Sequence, residues 1–466
     1  MTFYKTHEIE FHNDNGLKTV FELRQELPFA PSSVEKLRVL NTGETIIDET
    51  DSDGCGVMNS RYLLTLKSGP NDDLFEVFDN ADPQSVYLRI IVDNKVEFVG
   101  FLEPKTLERE YGTEGRDTII SGEFFSGIGS IGQVPIYPDF LETIMTVANV
   151  QPDTMISYDL FFSGLFEKVC KYGSRLIYAW NYEAENWRKD AVSTVDWNMF
   201  LDMRFRFNIY KEDEERPGRT LGEILTDICR TWGLRIGYSP NREAGCIFDM
   251  LAGYNGSNIP ANLVDNTGWT GGYPRLPESS STTVELQTIT DSDIRKGPPP
   301  IASKKNRVGM VTHDVIEFIS DPQLDINATA EVPNPETDRP YLLPGYGYGT
   351  IPIRYTAGVI ANTNVTVLTG EHPALTHEQI GYMANKNIPE IETIELPIHA
   401  LLAYIWGGWR FYERRKWSGL VAKKIDPMIP ILFDDTVWIT TTREYDPYTG
   451  YTQLELLQIA WQDPFN

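Results

Sequence analysis

Alternating apolar and polar positions dominate residues 1–125 and predict paired β-strands. The dipeptide Asn15-Gly16, which favours a tight hairpin turn, separates two such stretches. A second hairpin is predicted where "YLLTLKSGPNDDLFEVF" turns through Ser-Gly-Pro-Asn. A third turns at Asp93-Asn94-Lys95. One face of its first strand consists of Val86, Leu88, Ile90 and Val92, and one face of its second strand of Val96, Phe98, Gly100 and Leu102. The segment "DTIISGEFF" predicts a further strand.

Helical periodicity appears farther along the chain. Pro138 stands where a first helical turn accepts proline, just before the amphipathic stretch "DFLETIMTVAN". A clearer helix is predicted after Thr220, which forms a capping box with Glu223, and Gly233 is placed to end it. The predicted buried face of this helix consists of Leu221, Ile224, Leu225, Ile228 and Trp232, with Cys229 as a small core residue. A β-hairpin with strands "LRIGYS" and "CIFDML" is predicted next.

The last part of the chain combines polar linkers with short elements. Residues 253–300 are rich in Asn, Gly, Ser, Thr and Pro, which predicts a long insertion or linker carrying short strands. Helices are predicted at "THEQIGYMANK", where Thr376 and Gln379 form a second capping box, and at "PIHALLAYIWGGW". Three closing strands are predicted at "KWSGLVAKKI", "TVWITTTREY" and "TQLELLQIAWQ". The acidic segment "KEDEERPG" is interpreted as a solvated turn.

These elements predict an α+β fold that is mainly antiparallel β, with several β-barrel-like or β-sandwich-like domains and a helix-containing middle domain. Four units follow from the pattern. They are a β-rich domain at 1–130, an α+β domain at 131–255, an insertion or linker-rich β domain at 256–395, and a C-terminal helix with β-strands at 396–466.

Composition adds a charge constraint to this picture. The 466 residues carry a formal net charge of -26 and are 41% hydrophobic, which predicts folded domains. An acidic surface repels nucleic-acid phosphates and anionic lipid headgroups, so it serves either solubility or the passage of DNA without adhesion. No apolar run has the length of a membrane span, and the start of the chain lacks the apolar core of a secretory signal. We therefore expect a protein that is made in a cytoplasm and stays there or joins a larger particle.

The spacing G-x-G-x-x-G occurs within Gly127–Gly132. In dinucleotide-binding folds such a turn opens a helix whose N-terminus meets the pyrophosphate. Here Pro135 and Pro138 follow the glycines, and the preceding elements are hairpins rather than a βαβ unit. We therefore interpret the segment as a flexible corner, with Ile128 and Ile131 anchoring it to the core.

Other catalytic and metal-binding patterns are incomplete. The segment "ETDSDG" resembles the first half of a calcium loop, but Ser60 stands at the twelfth position instead of the bidentate Glu. His377 lacks the second histidine of a zinc-protease helix. The four cysteines, which form no C-x-x-C pair, are Cys55, Cys170, Cys229 and Cys246. We predict no catalytic, cofactor-binding or metal-binding residues and no cofactor. A glycan hydrolase with paired carboxylates stays as an alternative.

Aromatic residues are concentrated just before the closing strands. They are Trp406, Trp409, Phe411, Tyr412 and Trp417. Large aromatic side chains are common in cores and also at the centres of protein–protein contacts. The sequence leaves both interpretations open for this group, and it favours either of them over a ligand-binding box.

Four stretches, in order, resemble hub proteins from the distal end of phage tails, a family that covers Mu-like baseplate hubs and the N-terminal parts of siphophage tail-tip proteins. "VYLRIIVDNKVEFVGFLEP" is similar to the family's F-x-G-x-L-x-P hairpin. "SGEFFSGIGSIGQVPI" resembles a strand entering a D-G-L-G-x-L corner, with Ser126 in place of the Asp. "TLGEILTDICRTWGLRIGYS…CIFDML" resembles its helix-Gly-hairpin unit. "IPILFDDTVWITT" is similar to a strand pair set by a G-D-x-V turn, without the Gly.

The resemblance implies a structural virion protein without catalysis, assembled in the host cytoplasm. It implies a homotrimer whose two tube-like β domains per chain form a pseudo-sixfold ring, with residues 396–466 completing the second domain. Such a ring joins the sixfold tail tube to a threefold spike or fibre and lines the channel for DNA ejection. The implied partners are a tail-tube or distal-tail protein and a separate spike or fibre protein, with no specific DNA binding and no membrane insertion. A distal-tail adaptor or fibre-attachment protein is the alternative.

Overall fold

The computed structural model covers much of both ends of the chain and shorter pieces of the middle. The residues it describes are 2–50, 54, 56–68, 74–82, 84–111, 118–129, 155–157, 161–162, 164–166, 175–179, 203–206, 220–222, 225, 229, 234–249, 252–253, 256–265, 279–296, 305–307, 316–319, 353–356, 358–360 and 413–459. Most of these residues lie in strands, and most strand pairs are antiparallel, which confirms the prediction of a mainly β fold.

The N-terminal strands follow one another closely. They are β1 (Thr2–His12), β2 (Lys18–Leu27), β3 (Glu35–Lys36), β4 (Ile46–Glu49), β5 (Gly56–Val57), β6 (Asn59–Ser68), β7 (Val86–Val92), β8 (Lys95–Leu102), β9 (Glu108–Tyr111) and β10 (Thr118–Phe125). The helix α1 (Leu74–Asp79) lies between β6 and β7, and a single 3-10 turn at Pro104–Thr106 follows β8.

The later strands are shorter until the C-terminal region. They are β11 (Met155–Ser157), β12 (Arg175–Ala179), β13 (Met203–Arg206), β14 (Leu234–Ser239), β15 (Ala244–Asp249), β16 (Ile259–Asp265), β17 (Ser279–Val284), β18 (Gln287–Thr288), β19 (Ile294–Lys296), β20 (Lys305–Arg307), β21 (Ile316–Ile319), β22 (Ile353–Thr356), β23 (Gly358–Ile360), β24 (Glu413–Val421), β25 (Ile431–Phe433), β26 (Thr436–Tyr445) and β27 (Thr452–Gln458).

Two of the predicted N-terminal hairpins form as the sequence pattern indicates. β1 and β2 pair across the turn at Asn15-Gly16, where Gly16 has a φ of 76°. β7 and β8 pair across Asp93 and Asn94, whose φ values of 52° and 60° fit a tight turn with two left-handed residues. β7 buries every second residue, so one face of it packs into the core.

The prediction of a hairpin strand after Ser-Gly-Pro-Asn is wrong, because residues Leu74–Asp79 form the helix α1. Leu74 and Phe78 are both buried, at the i and i+4 spacing of one helix face. A run as short as "LFEVF" fits both the helical and the strand period, so its apolar pattern alone does not distinguish them.

One large sheet contains strands from both ends of the chain. Its order is β19-β24-β27-β26-β4-β6-β10-β8-β7-β2-β1-β3, with β9, β18, β20 and β25 paired off this path. The N-terminal and C-terminal regions meet where β4 pairs antiparallel with β26. Within the described residues no sheet closes on itself, so the predicted barrel-like form is not found there. The division into four domains stays a prediction.

A second sheet has the order β17-β16-β12-β15-β14-β5 and is mixed, since β12 runs parallel to β15. It includes the predicted hairpin, formed by β14 and β15 across a 3-10 turn at Pro240–Arg242. Cys246 is buried in β15. Leu221, Leu225 and Cys229 are helical and fully buried, as predicted for one helix face. The capping Glu223 and the stop Gly233 lie outside the described residues.

Several other predicted features also lie outside the described residues. They are the helix after Pro138, the acidic segment 211–218, the helices near Thr376 and Ala400, the aromatic residues 406–412, Cys55, Cys170 and His377. Trp417 is described: it is buried and lies edge-on to Phe433, with 5.1 Å between ring centroids. For Trp417 the interpretation as a core residue is therefore confirmed. No helix in the described part of the chain has the length and apolarity needed to cross a membrane.

Candidate functional site: a buried charge cluster between the chain ends

The glycine-rich corner is tied to a neighbouring strand. β10 precedes it and pairs antiparallel with β6 and β9, unlike the parallel strands of a dinucleotide fold. The hydroxyl of Ser126 accepts hydrogen bonds from the backbone amides of Ser60, at 3.1 Å, and Gly129, at 3.3 Å. Ile128 is buried, as predicted, whereas Ile131 lies outside the described residues. The Ser126 hydroxyl thus links the corner to β6 through hydrogen bonds from the Gly129 and Ser60 amides.

The segment "ETDSDG", which resembles half of a calcium loop, begins at the end of β4, and β4 pairs with β6. Glu49 ends β4 and pairs with Asn59 of β6. Ser60, at the position where a calcium loop needs a bidentate Glu, donates its hydroxyl hydrogen bond to Asp48. Among the described residues no group of three His, Cys, Asp or Glu side chains is placed to hold a metal ion.

The principal polar feature of the described structure is a set of charged side chains, four buried and one partly buried, where the two ends of the chain meet. We call it the charge cluster, and it consists of Asp48 on β4, Glu97 on β8, Arg443 on β26, and Lys424 and Asp426 in the 422–430 loop between β24 and β25. Glu97 and Arg443 have side chains that are 0% exposed, and Lys424 has 17% exposure. Charges this deeply buried are rare unless they are paired.

Two β-bulges accompany the cluster. In the β7–β8 ladder Ile90 pairs with Phe98 and Ile91 with Val96, so Glu97 is the extra residue of a bulge. This bulge interrupts the alternation predicted for β8, and Phe98 and Leu102 belong to the N-terminal core while Val96 does not.

The second bulge lies in β26. Thr440 pairs with Leu456 and Thr442 with Glu455, so Thr441 is the extra residue. The shift brings Arg443 and Tyr445 onto the face that carries Trp438, and all three side chains are buried. Each bulge therefore turns a charged residue of an otherwise apolar or Thr-rich strand toward the interior.

Arg443 is the centre of the cluster. It lies opposite Asp48 in the β4–β26 ladder, and its Nε donates to Asp48 Oδ2 at 2.5 Å. Its Nη1 lies 3.4 Å from Glu97 Oε2 and also donates to the carbonyl of Ile425. Lys424 Nζ lies 2.9 Å from Glu97 Oε1 and donates to the carbonyl of Val92 at 2.8 Å. One guanidinium thus connects β4, β8 and the 422–430 loop.

Asp426 extends the cluster to the second sheet. Its Oδ2 accepts a hydrogen bond of 2.5 Å from the Ser239 hydroxyl at the end of β14, and its Oδ1 accepts from the amide of Met428 at 3.0 Å. Gln287 on β18 accepts from the Asp426 amide and donates to the Asp426 carbonyl. Arg235 on β14 donates to the carbonyls of Pro427 and Thr440. The 422–430 loop is therefore held from both sheets.

Burial is the largest influence on the pKa values of the two enclosed carboxyl groups. It raises the pKa of Glu97 above its usual range, although Arg443 and Lys424 act in the opposite direction. Burial likewise raises the pKa of Asp426, against the hydrogen bonds from Ser239 and Met428. Burial also disfavours the charged guanidinium of Arg443, but Asp48 and Glu97 outweigh it and raise the pKa of Arg443.

A second contact between the chain ends lies at the tip of the first hairpin. The amide of Asp14 donates to the carbonyl of Tyr448 at 2.8 Å, and the rings of Phe11 and Tyr448 stack with 5.2 Å between centroids. A Cβ atom at Gly450, which has a φ of 76°, would lie 2.8 Å from the side-chain nitrogen of Asn15. The turn between β26 and β27 is thus fitted closely against the β1–β2 turn.

The sequence gives only a faint signal for the charge cluster. Glu97 in "KVEFVGFL" and Arg443 in "TVWITTTREY" are charges within strand patterns, and such positions point to a bulge or a buried pair. Their partners cannot be identified from local patterns, because Asp48 and Arg443 are separated by 395 positions.

Comparisons with known proteins add little to this geometry. No family model matches the chain, and no curated protein matches it. Among solved structures, the 43 kDa tail protein of prophage MuSo2 from Shewanella oneidensis is similar at 10% identity and a TM-score of 0.33, over 90% of this chain and 92% of that chain. A likeness of this size is too weak to establish a shared fold or function.

Proposed function

We propose that the chain is a structural protein of a phage tail, a trimeric hub that joins the sixfold tail tube to a threefold spike or fibre and lines the DNA exit channel. The observation that carries the proposal is the ordered set of four sequence stretches that resemble this family. Their described parts are strands β7–β8, β10 with its corner, β14–β15 and β25–β26. Three of the four lie in the one large sheet that unites the chain ends.

The physical character of the described structure fits a structural role. The contact between the chain ends is held by charged side chains that are buried and paired with one another. The net charge of -26 suits a channel wall that DNA phosphates must pass without binding. We infer from the same features that the chain acts by assembly and not by catalysis.

The first test is the mass of the purified protein in solution. A homotrimer has three times the 53.0 kDa mass of one chain, and light scattering after size-exclusion chromatography measures it directly. A chain that stays monomeric both alone and mixed with tail-tube protein, with no threefold contact in tail particles, would contradict the hub proposal.

The second test is the position of the chain in a tail particle, seen by cryo-electron microscopy. A hub lies on the tail axis with acidic side chains facing the channel. Density outside the tube wall would instead identify an adaptor or fibre-attachment protein. An even distribution of acidic side chains over the assembled surface would leave solubility as the only role of the charge.

A further inference from the structure

The carboxyl groups of the charge cluster are unequally compensated. Asp48 and Glu97 are paired with Arg443 and Lys424, and buried Arg235, a third cation, donates to carbonyl groups of the 422–430 loop and β26. Both oxygens of Asp426, in contrast, accept hydrogen bonds from neutral donors, the Ser239 hydroxyl and the Met428 amide. A low-dielectric interior disfavours a buried carboxylate held in this way, and uptake of one proton removes its charge.

The groups facing the two enclosed carboxyls come from several elements. Those acting on Glu97 are Lys424 and Asp426 in the 422–430 loop, and Arg443 and Tyr445 on β26. Those acting on Asp426 are Ser239 on β14, Arg242 in the turn after it, Cys246 on β15 and Arg443. Arg235 adds a further cation on the β14 side, bonded to two carbonyl groups. Both carboxyls are therefore enclosed by the elements that join the two sheets and the two chain ends.

We propose that the charge cluster is a proton-dependent lock on the attachment of the C-terminal strands to the N-terminal strands. Uptake of a proton by Glu97 or Asp426 removes a buried negative charge and tightens the contacts that β26 and the 422–430 loop make with β4 and β8. Loss of that proton restores the buried negative charge and loosens these contacts. The lock depends on this chain alone, whatever the chain assembles with.

The direction of the pH effect follows from linkage. Burial raises the pKa of Glu97 and of Asp426 in the closed structure, whereas opening exposes both groups to water and returns each pKa toward its usual value of about 4. The closed state therefore binds more protons than the open state in the window between the two values. The stabilisation by protons is complete below the lower pKa and is lost as the pH rises through the raised one.

Hydrogen exchange of the intact chain tests the lock. The readout is the protection of amides that join the chain ends, such as that of Thr50, which donates to the Thr441 carbonyl at 3.0 Å. After correction for intrinsic exchange rates, we expect protection of the β4 and β26 peptides to fall by up to about tenfold for each pH unit within the window. Protection of the β9 peptide, which pairs with β10 and not with the C-terminal strands, serves as the internal reference.

Two neutral variants separate a proton lock from a general effect of pH. Glu97→Gln and Asp426→Asn each imitate a protonated carboxyl, so each should reduce the pH dependence and keep β26 protected at about pH 8. Glu444→Gln, at an exposed position on β26 next to Arg443, should retain the wild-type dependence. Protection of β26 that is independent of pH in the wild-type chain, or a dependence that survives in both neutral variants, would overturn the proposal.

Discussion

Strands of the large sheet enclose two buried regions that differ in polarity, one apolar and one charged. Between α1 and strands β2, β6, β7 and β10 the core is built from aliphatic and aromatic side chains such as Leu88, Ile90 and Phe124. Where β4 and β8 meet β26, the interior holds charged side chains instead. The apolar interior is stabilised by the removal of apolar surface from water, and this stabilisation does not require the side chains to have a particular orientation to one another. The charged interior is stable only when every partner is in place, so it specifies which strands must meet.

The largest effect is expected from breaking the charged interior. Arg443→Ala leaves Asp48 buried without its cation and Glu97 with Lys424 alone, and the expected loss is about 3–5 kcal/mol of the free energy of unfolding. Urea denaturation followed by tryptophan fluorescence measures it. Arg38→Ala, at an exposed position, is the control and should change stability by less than about 0.5 kcal/mol.

A double-mutant cycle sharpens this result. Asp48→Asn combined with Arg443→Met should lose less than the two single variants together, with a coupling energy of about 1–3 kcal/mol. Strict additivity of the two losses, or a loss for Arg443→Ala no larger than for Arg38→Ala, would show that the cluster does not hold the chain ends together.

The apolar interior should respond through cavity formation. Leu88→Ala removes a fully buried side chain from the N-terminal core, with an expected loss of about 2–5 kcal/mol. Ile91→Ala on the same strand is the matched control, because Ile91 is only partly buried, and its loss should be clearly smaller. Equal losses in the same denaturation experiment would contradict the assignment of the core face of β7. Neither variant should change the pH dependence of exchange in β26.

The two interiors also differ in how far they follow from the sequence. The alternation of Val86, Leu88, Ile90 and Val92 predicts the core face of β7, because strand periodicity is a local property. The same rule fails at Glu97 and Thr441, where one extra residue in a bulge reverses the alternation. The pairing of β4 with β26 could not be predicted from local sequence patterns either, since sheet order depends on contacts between residues hundreds of positions apart.

The glycine corner after β10 could be predicted from the sequence only in part, since the burial of Ile128 was expected and the hydrogen bonds of Ser126 were not. The change in stability expected from a substitution there is the smallest of those proposed. Ser126→Ala removes the acceptor for the amides of Ser60 and Gly129, so we expect a loss of about 1–2 kcal/mol by urea denaturation. Ser33→Ala, in an exposed loop, should have no measurable effect. Ser126→Asn supplies a neutral acceptor and should recover part of the loss. An unchanged stability in Ser126→Ala would mean that Ile128, not the hydroxyl, holds the corner.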